Sequence, residues 1–288
     1  MNEQMSLPWQ GKRKVEPISP EKNRLTMRDL AGKHSPWVIL LSIGMFIGAW
    51  QLITTWRDYP AFILPGPRLV AERFVRALAD GSLLRHSGIT LLEVLLGLLA
   101  GSVSATALGY LLAKSRLLER LLSPYLVASQ AIPIVAIAPL LVIWFGPGMA
   151  SKVLICALIV FFPVLVNTIV GLRAVPDNLR DLMRSMRATR RQVLRYLEIP
   201  AALPIFLGGL RIGATLSVIG AVVGEFVGSD RGLGFLINVG RGQYDTALVF
   251  VAIFTLVAMA LALYGLVVSL ERRLLAWRNA SNHFRETL

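Results

Sequence analysis

Charged side chains are scarce in this sequence: 16% of its 288 residues, against 55% that are hydrophobic. That balance is too apolar for an ordinary soluble domain. Cysteine occurs once, at Cys156 inside an apolar run, which excludes a disulfide framework and a cysteine metal site. His34, His86 and His283 are the only histidines and stand far apart outside the apolar blocks, so no histidine metal site or nucleophile is expected. The sequence has no Gly-x-x-x-x-Gly-Lys-Ser/Thr phosphate loop, so ATP hydrolysis is expected elsewhere. It has no His-Glu-x-x-His and no paired carboxylates in a shared span, which argues against a membrane enzyme. A repeat of fixed period is also missing.

What the sequence has is apolar runs. Residues 1–36 are polar and basic, with Pro8, Pro17 and Pro20, and read as a flexible tail with a short surface helix near Met27–Leu30. They do not read as a signal peptide, since no Ala-x-Ala pattern follows the first apolar run. Six runs then have bilayer-spanning length: about 37–56, 88–112, 126–145 (with Pro133 and Pro139), 153–170 (with Pro163), 204–227 and 247–270. Trp37 and Trp56 suit interfacial aromatic belts. After the first run, Ile63-Leu64-Pro65-Gly66-Pro67 makes a turn. An amphipathic helix over 68–78 follows, with Val70, Phe74, Val75 and Leu78 on one face. Residues 279–288 read as a second short tail.

The net charge of +13 follows topology rather than nucleic-acid binding. With the N-terminus inside, the inner segments carry 21 basic residues and the outer ones eight, counting Lys152 as outer. Both termini are therefore expected in the cytoplasm. No basic, aromatic-interleaved soluble domain competes with this reading.

One long polar segment interrupts the apolar blocks, from Asp181 to Pro200. Arg180, Arg184, Arg187, Arg191 and Arg195 recur at helical steps, with Leu182, Met183, Met186, Val193, Leu194 and Leu197 mostly opposite. Thr189 and Arg190 weaken the apolar stripe, so two short helices with a break are expected. A basic amphipathic helix on an anionic membrane surface would show the same pattern.

The segment resembles the cytoplasmic loop of permease subunits of bacterial ABC importers. Asp181-Leu182-Met183 stands where that family has Glu-Ala-Ala, and Leu197-Glu198-Ile199-Pro200 where it has Ile-x-Leu-Pro. Ala201-Ala202-Leu203-Pro204 and Gly209-Leu210-Arg211 continue the likeness. The family's glycine is replaced by Arg187, which resists a left-handed turn, so the break is expected to have another geometry or to sit nearer Ala188-Thr189. The resemblance implies an ATPase-coupling surface of Asp181, Leu182, Met183, Met186, Arg187, Ala188, Thr189, Leu197, Ile199 and Pro200.

A second stretch, Glu225-Phe-Val-Gly-Ser-Asp-Arg-Gly-Leu-Gly234 with Gln243-Tyr244-Asp245-Thr246, resembles the outer loop of the nitrate, sulfonate and taurine subfamily. That subfamily also takes in the thiamine-precursor and riboflavin permeases, and the wording leans toward this vitamin branch. The likeness covers about 63–277. By itself the stretch reads as a glycine-rich turn and a short re-entrant helix.

Within the spans, Gly209, Gly213, Ser217, Gly220 and Gly224 form a narrow strip that Gly228 extends, and Gly97 and Gly101 repeat the pattern. Such strips serve close packing within one subunit, a dimer interface or a pathway. Charges at membrane depth cost about 2.5–3.5 kcal/mol on insertion scales, so they face the bundle interior or water. Glu93, Arg211 and Glu225 are the candidates, either as a structural pair of Arg211 with a glutamate or, with Gln130 and Ser217, along a translocation pathway. Asn167 and Tyr110 are weaker ones.

The expected fold is an all-α membrane protein with six transmembrane helices and the type I ABC importer permease fold. As the resemblance implies, it would bind no cofactor itself and take ATP energy through two partner ATPases. A second permease copy would form the pathway with it, and a separate binding protein would deliver substrate. That substrate would be a vitamin or vitamin precursor, or else nitrate, sulfonate or taurine. An ion-coupled secondary transporter remains the competing class, with Glu93 as its coupling carboxylate.

Overall fold

The computed structural model describes residues 36–57 and 59–276. The expected tails, except Pro36, lie outside these residues, as do the short helix near Met27–Leu30 and the arginines beyond residue 276. Among the described residues the regular elements are helices. They are α1 (Pro36–Trp56), α2 (Pro67–Ala79), α3 (Ser82–Lys114), α4 (Arg116–Gln130), α5 (Ile134–Phe145), α6 (Met149–Arg173), α7 (Asp177–Ser185), α8 (Arg190–Val193), α9 (Ile199–Gly228), α10 (Leu233–Gly242) and α11 (Thr246–Leu274).

The chain divides into two units between Leu52 and Ile53, inside α1. By itself α1 presents exposed Trp37, Leu41, Met45 and Phe46. In the larger unit, α3, α6, the continuous stretch Arg190–Gly228 and α11 are each long and apolar enough to cross a membrane. The expected third span over 126–145 is instead two helices, α4 and α5, bent by 95°. Pro133 explains the bend: it sits extended (φ −64°, ψ 121°) before α5, lacks an N–H and bars α geometry at Ile132. The bent pair counts as a fifth span if taken together, and α1 offers a shorter apolar stretch, Leu40–Trp56.

The centre of the larger unit is α6, which packs along α3 on one side and α9 on another, with α5 beside it. Glycine makes both approaches possible. A Cβ on Gly220 of α9 would stand 2.8 Å from Cys156 Cα, and one on Gly101 of α3 would stand 2.6 Å from Ala157 O. Cys156 is fully buried between these helices, and a Cβ on Gly97 would also collide with it. Close contact between helix backbones replaces the hydrophobic drive that lipid cannot supply. Two apolar clusters fill the remaining space. One holds Ala105, Leu112, Val160, Val164 and Leu165, the other Ala138, Leu141 and Ile155.

The amphipathic helix expected over 68–78 is α2, which packs on α11 and α3. Only Val70 and Ala77 are buried on it, whereas Phe74, Val75 and Leu78 of the expected apolar face are exposed. An ion pair of 2.7 Å between Arg73 and Asp245 fixes it instead. Asp245 also caps α11 by accepting from Leu248 N–H at 3.0 Å.

Candidate coupling surface and buried charge node

The polar segment between α6 and α9 folds as a helix, a tight turn and a second short helix. Helix α7 ends in a Schellman motif: Arg187 N–H donates to Arg184 O at 2.9 Å and Ala188 N–H to Met183 O at 3.0 Å. The motif requires a left-handed residue at its turn, and Arg187 takes that conformation with φ +54°. The expectation of a different break geometry is therefore corrected. The two closing hydrogen bonds outweigh the roughly 1–2 kcal/mol cost of the left-handed form. Thr189 then starts α8 with a capping box, exchanging hydrogen bonds with Gln192 at 3.3 and 2.7 Å.

Leu194–Glu198 forms a π-helical turn leading straight into α9. Pro200 has no N–H for the usual bond to Tyr196, which accounts for a widened turn here. The expected continuous arginine stripe is interrupted by the turn. Arg180 folds back on Asp177 (3.2 Å) and Leu172 O (2.8 Å), and Arg184 on Asp181 (3.1 Å). On α7 the apolar side chains remain uncovered: Leu182 is 54% and Met186 70% exposed, with Leu179 on the same face. Met183 and Ala188 are half-buried, as are Leu197 and Pro200, whereas Asp181, Arg187, Thr189 and Ile199 are exposed. Glu198 is buried and ion-paired with Lys114 of α3, so the hairpin's return strand of chain is anchored to the helix bundle.

At the opposite end of α9 lies a buried node of charge. Glu225 is fully buried; its Oε1 accepts from Thr90 Oγ1 at 2.6 Å and its Oε2 from Gly234 N–H at 2.5 Å. Thr90 Oγ1 in turn accepts from Leu233 N–H at 2.8 Å. Gly232 has φ +103°, and a Cβ there would run into the Glu225 carboxylate; a Cβ on Gly234 would lie 2.8 Å from Oε2. The Gly-Leu-Gly of the outer loop is thus glycine because its backbone wraps a carboxylate. Glu93, 1% exposed, lies 3.7 Å from Lys152, which is 4% exposed and donates to Ser229 Oγ at 2.6 Å. The node ties α3, α6 and α9 to the loop before α10.

Lys152 is therefore a buried partner in the first turn of α6, not an outer-loop charge. The expected pairing of Arg211 with Glu93 or Glu225 is likewise replaced: Arg211 pairs with Glu271 of α11 and lies over the Tyr264 ring. The sequence carried only part of the signal: Glu93 needed a cation at its depth and Glu271 stands near the end of α11, but no spacing names either partner. Ser217 is buried and donates to Ala214 O at 2.8 Å, and Gln130 is exposed at the α4–α5 bend. Asn167 donates to Pro163 O at 2.8 Å. The glycine strip of α9 faces α6, from Gly209 against Asn167 to Gly224 against Lys152. Among the described residues no group of three or more His, Cys, Asp or Glu side chains could hold a metal ion.

Residues 97–276 match the family described as binding-protein-dependent transport system inner membrane component. The chain belongs to this family. This permease is 51% identical over 228 residues to the riboflavin transport system permease RibX of Chloroflexus aurantiacus, covering 79% of this chain and 85% of that one. It is 37% identical to the formylaminopyrimidine transport permease ThiX of Halalkalibacterium halodurans over 81% of this chain and 93% of ThiX. Identity to the taurine transport permease TauC of Escherichia coli is 31% over 83% and 90%. A solved structure of the MetNI methionine ABC transporter shares the fold, with a TM-score of 0.58 at 19% identity over 68% of this chain and 97% of that one. The permease is thus a multi-pass inner-membrane subunit of an ABC importer with the type I fold.

Proposed function

We propose that this permease carries a riboflavin-type heteroaromatic vitamin or vitamin precursor across the inner membrane. The observation that carries the substrate class is the 51% identity to RibX, supported by 37% identity to ThiX. Two copies form the pathway, with both termini and α7 in the cytoplasm and six spans per copy. Each α7 docks its Leu179, Leu182 and Met186 face into a groove on a separate ATPase. Full burial of an aliphatic side chain contributes about 1.5–3 kcal/mol, enough for three such anchors to transmit force without covalent linkage. ATP enters only through that partner, and a separate binding protein presents the substrate at the outer face. Closure of the ATPases pulls the α7 hairpins. The Lys114–Glu198 pair passes this to α3, and the continuous α9 passes it toward the Glu225 node.

The test is uptake into proteoliposomes holding the permease, its ATPase and its binding protein. ATP-dependent accumulation of labelled riboflavin or formylaminopyrimidine, and not of taurine, is the expected result. Accumulation of taurine alone would move the substrate to the sulfonate branch. Accumulation driven by an ion gradient without ATP would replace the mechanism with ion coupling.

A further inference from the structure

A cleft of about 760 Å³ opens where the end of α3, the start of α4, the end of α6 and the start of α7 meet. Its walls carry Lys114, Arg116, Arg120, Arg173 and Arg180, against only Glu119 and Asp177. Three of the five cations are engaged. Arg173 holds Glu119 through both its terminal nitrogens, at 2.7 and 2.5 Å, Arg180 reaches Asp177 at 3.2 Å, and Lys114 is paired with Glu198. Two positive charges remain unbalanced. Arg116 and Arg120, one turn apart on α4, carry them; both are exposed and neither has a hydrogen-bond or ion-pair partner among the described residues. Positive-inside topology calls for basic residues near a span's end, but not for a concave wall of them around one space.

The neighbouring face of α4 is apolar. Leu117, Leu121 and Tyr125 recur at four-residue steps beside the two arginines and are all exposed, and no residue of α4 is buried. The cleft stands at the depth where apolar α3 and α6 give way to charge, after Leu112 and Leu172. A ligand fitting both surfaces has an anionic phosphate and an acyl chain. We propose that the cleft binds the headgroup of an anionic phospholipid, with Arg116 and Arg120 on its phosphate and an acyl chain along Leu117, Leu121 and Tyr125. Guanidinium matches phosphate through paired hydrogen bonds, and basic pockets between spans at the inner face suit such headgroups. The cleft's wall continues through Ala174–Asp177 into α7, so an occupied cleft steadies the base of the coupling helix.

The inference rests on the proposed orientation, but its test needs no transport. Purified full-length permease in detergent is incubated with phosphatidylglycerol or phosphatidylcholine, and retained lipid is read by native mass spectrometry. The expected result is selective retention of phosphatidylglycerol, reduced at least tenfold in Arg116→Gln/Arg120→Gln. The exposed pair at the end of α11, Arg272→Gln/Arg273→Gln, should leave retention unchanged, and all three proteins should elute and unfold alike. Equal retention by wild type and the α4 variant, or an equal loss in the α11 variant, would overturn the site. Displacement of the lipid by millimolar inorganic phosphate would overturn the lipid assignment.

Discussion

Replacing Thr90 with valine keeps the side chain's shape and removes one hydroxyl. That hydroxyl donates to buried Glu225 and accepts from buried Leu233 N–H, at 2.6 and 2.8 Å. An orphaned buried polar group costs about 1–3 kcal/mol, and more when it is charged, so losing both partners should cost about 2–5 kcal/mol. For a chain of this size about 1 kcal/mol shifts Tm by roughly 2–4 °C, which places Thr90→Val roughly 4–20 °C below the parent protein. The protein supplies its own reporter: Cys156 is its single cysteine and is fully buried. A thiol-reactive dye added during a thermal ramp in detergent therefore reads opening of the α3–α6–α9 core. Thr90→Ser keeps the hydroxyl and should stay within a few degrees of the parent. If Thr90→Val matches the parent, or if Thr90→Ser falls as far as valine, the node does not hold the outer loop as argued.

The same assay checks the glycine seam. Gly220→Ala forces a Cβ against the α6 backbone and should lose about 1–3 kcal/mol from overpacking, more than its gain of about 1 kcal/mol in helix propensity. Gly265→Ala, with nothing within 4 Å of its Cβ, should show the gain alone. Arg187→Gly relieves the left-handed arginine. After glycine's own entropy is set against it, the hairpin should be firmer by about 0.5–1 kcal/mol, seen as slower amide exchange at residues 187 and 188; faster exchange would contradict the Schellman assignment. Leu182→Glu with Met186→Glu removes up to about 3–6 kcal/mol of apolar docking, since two side chains lose their burial. Thermal stability should not change, because both are exposed, while ATP-dependent uptake should vanish.

Much of this architecture could be read before any coordinates. Apolar length located α3, α6, α9 and α11, although each helix extends a few residues past its apolar run because polar ends still satisfy the backbone ladder. The weakening of the apolar stripe at Thr189 and Arg190 marked the hairpin break, and the capping box from Thr189 to Gln192 is what starts the second helix there. Pairings were less legible. Lys152 stands three residues into α6, where charge counting alone assigns it to a loop, and only the fold brings it to Glu93 and Ser229. Arg211 and Glu271 lie sixty residues apart, and no helical spacing connects them. Arg187 shows the limit of residue preference: arginine disfavours the left-handed form, but two backbone hydrogen bonds over-determine it. On α2 the spacing located the helix and its buried Val70, but not the pairing of Arg73 with Asp245, which stands 172 residues away.

The central claim is that α7 projects into the cytoplasm and is gripped by an ATPase. Leu182→Cys places an exposed thiol on that face in a chain whose native cysteine is buried. Inside-out vesicles containing permease and ATPase would be treated with a short thiol-to-amine cross-linker. The account predicts a permease–ATPase adduct whose yield changes when ATP is added, and no labelling of position 182 from the outer face by an impermeant maleimide. Labelling from the outer face, with no adduct formed, would contradict it.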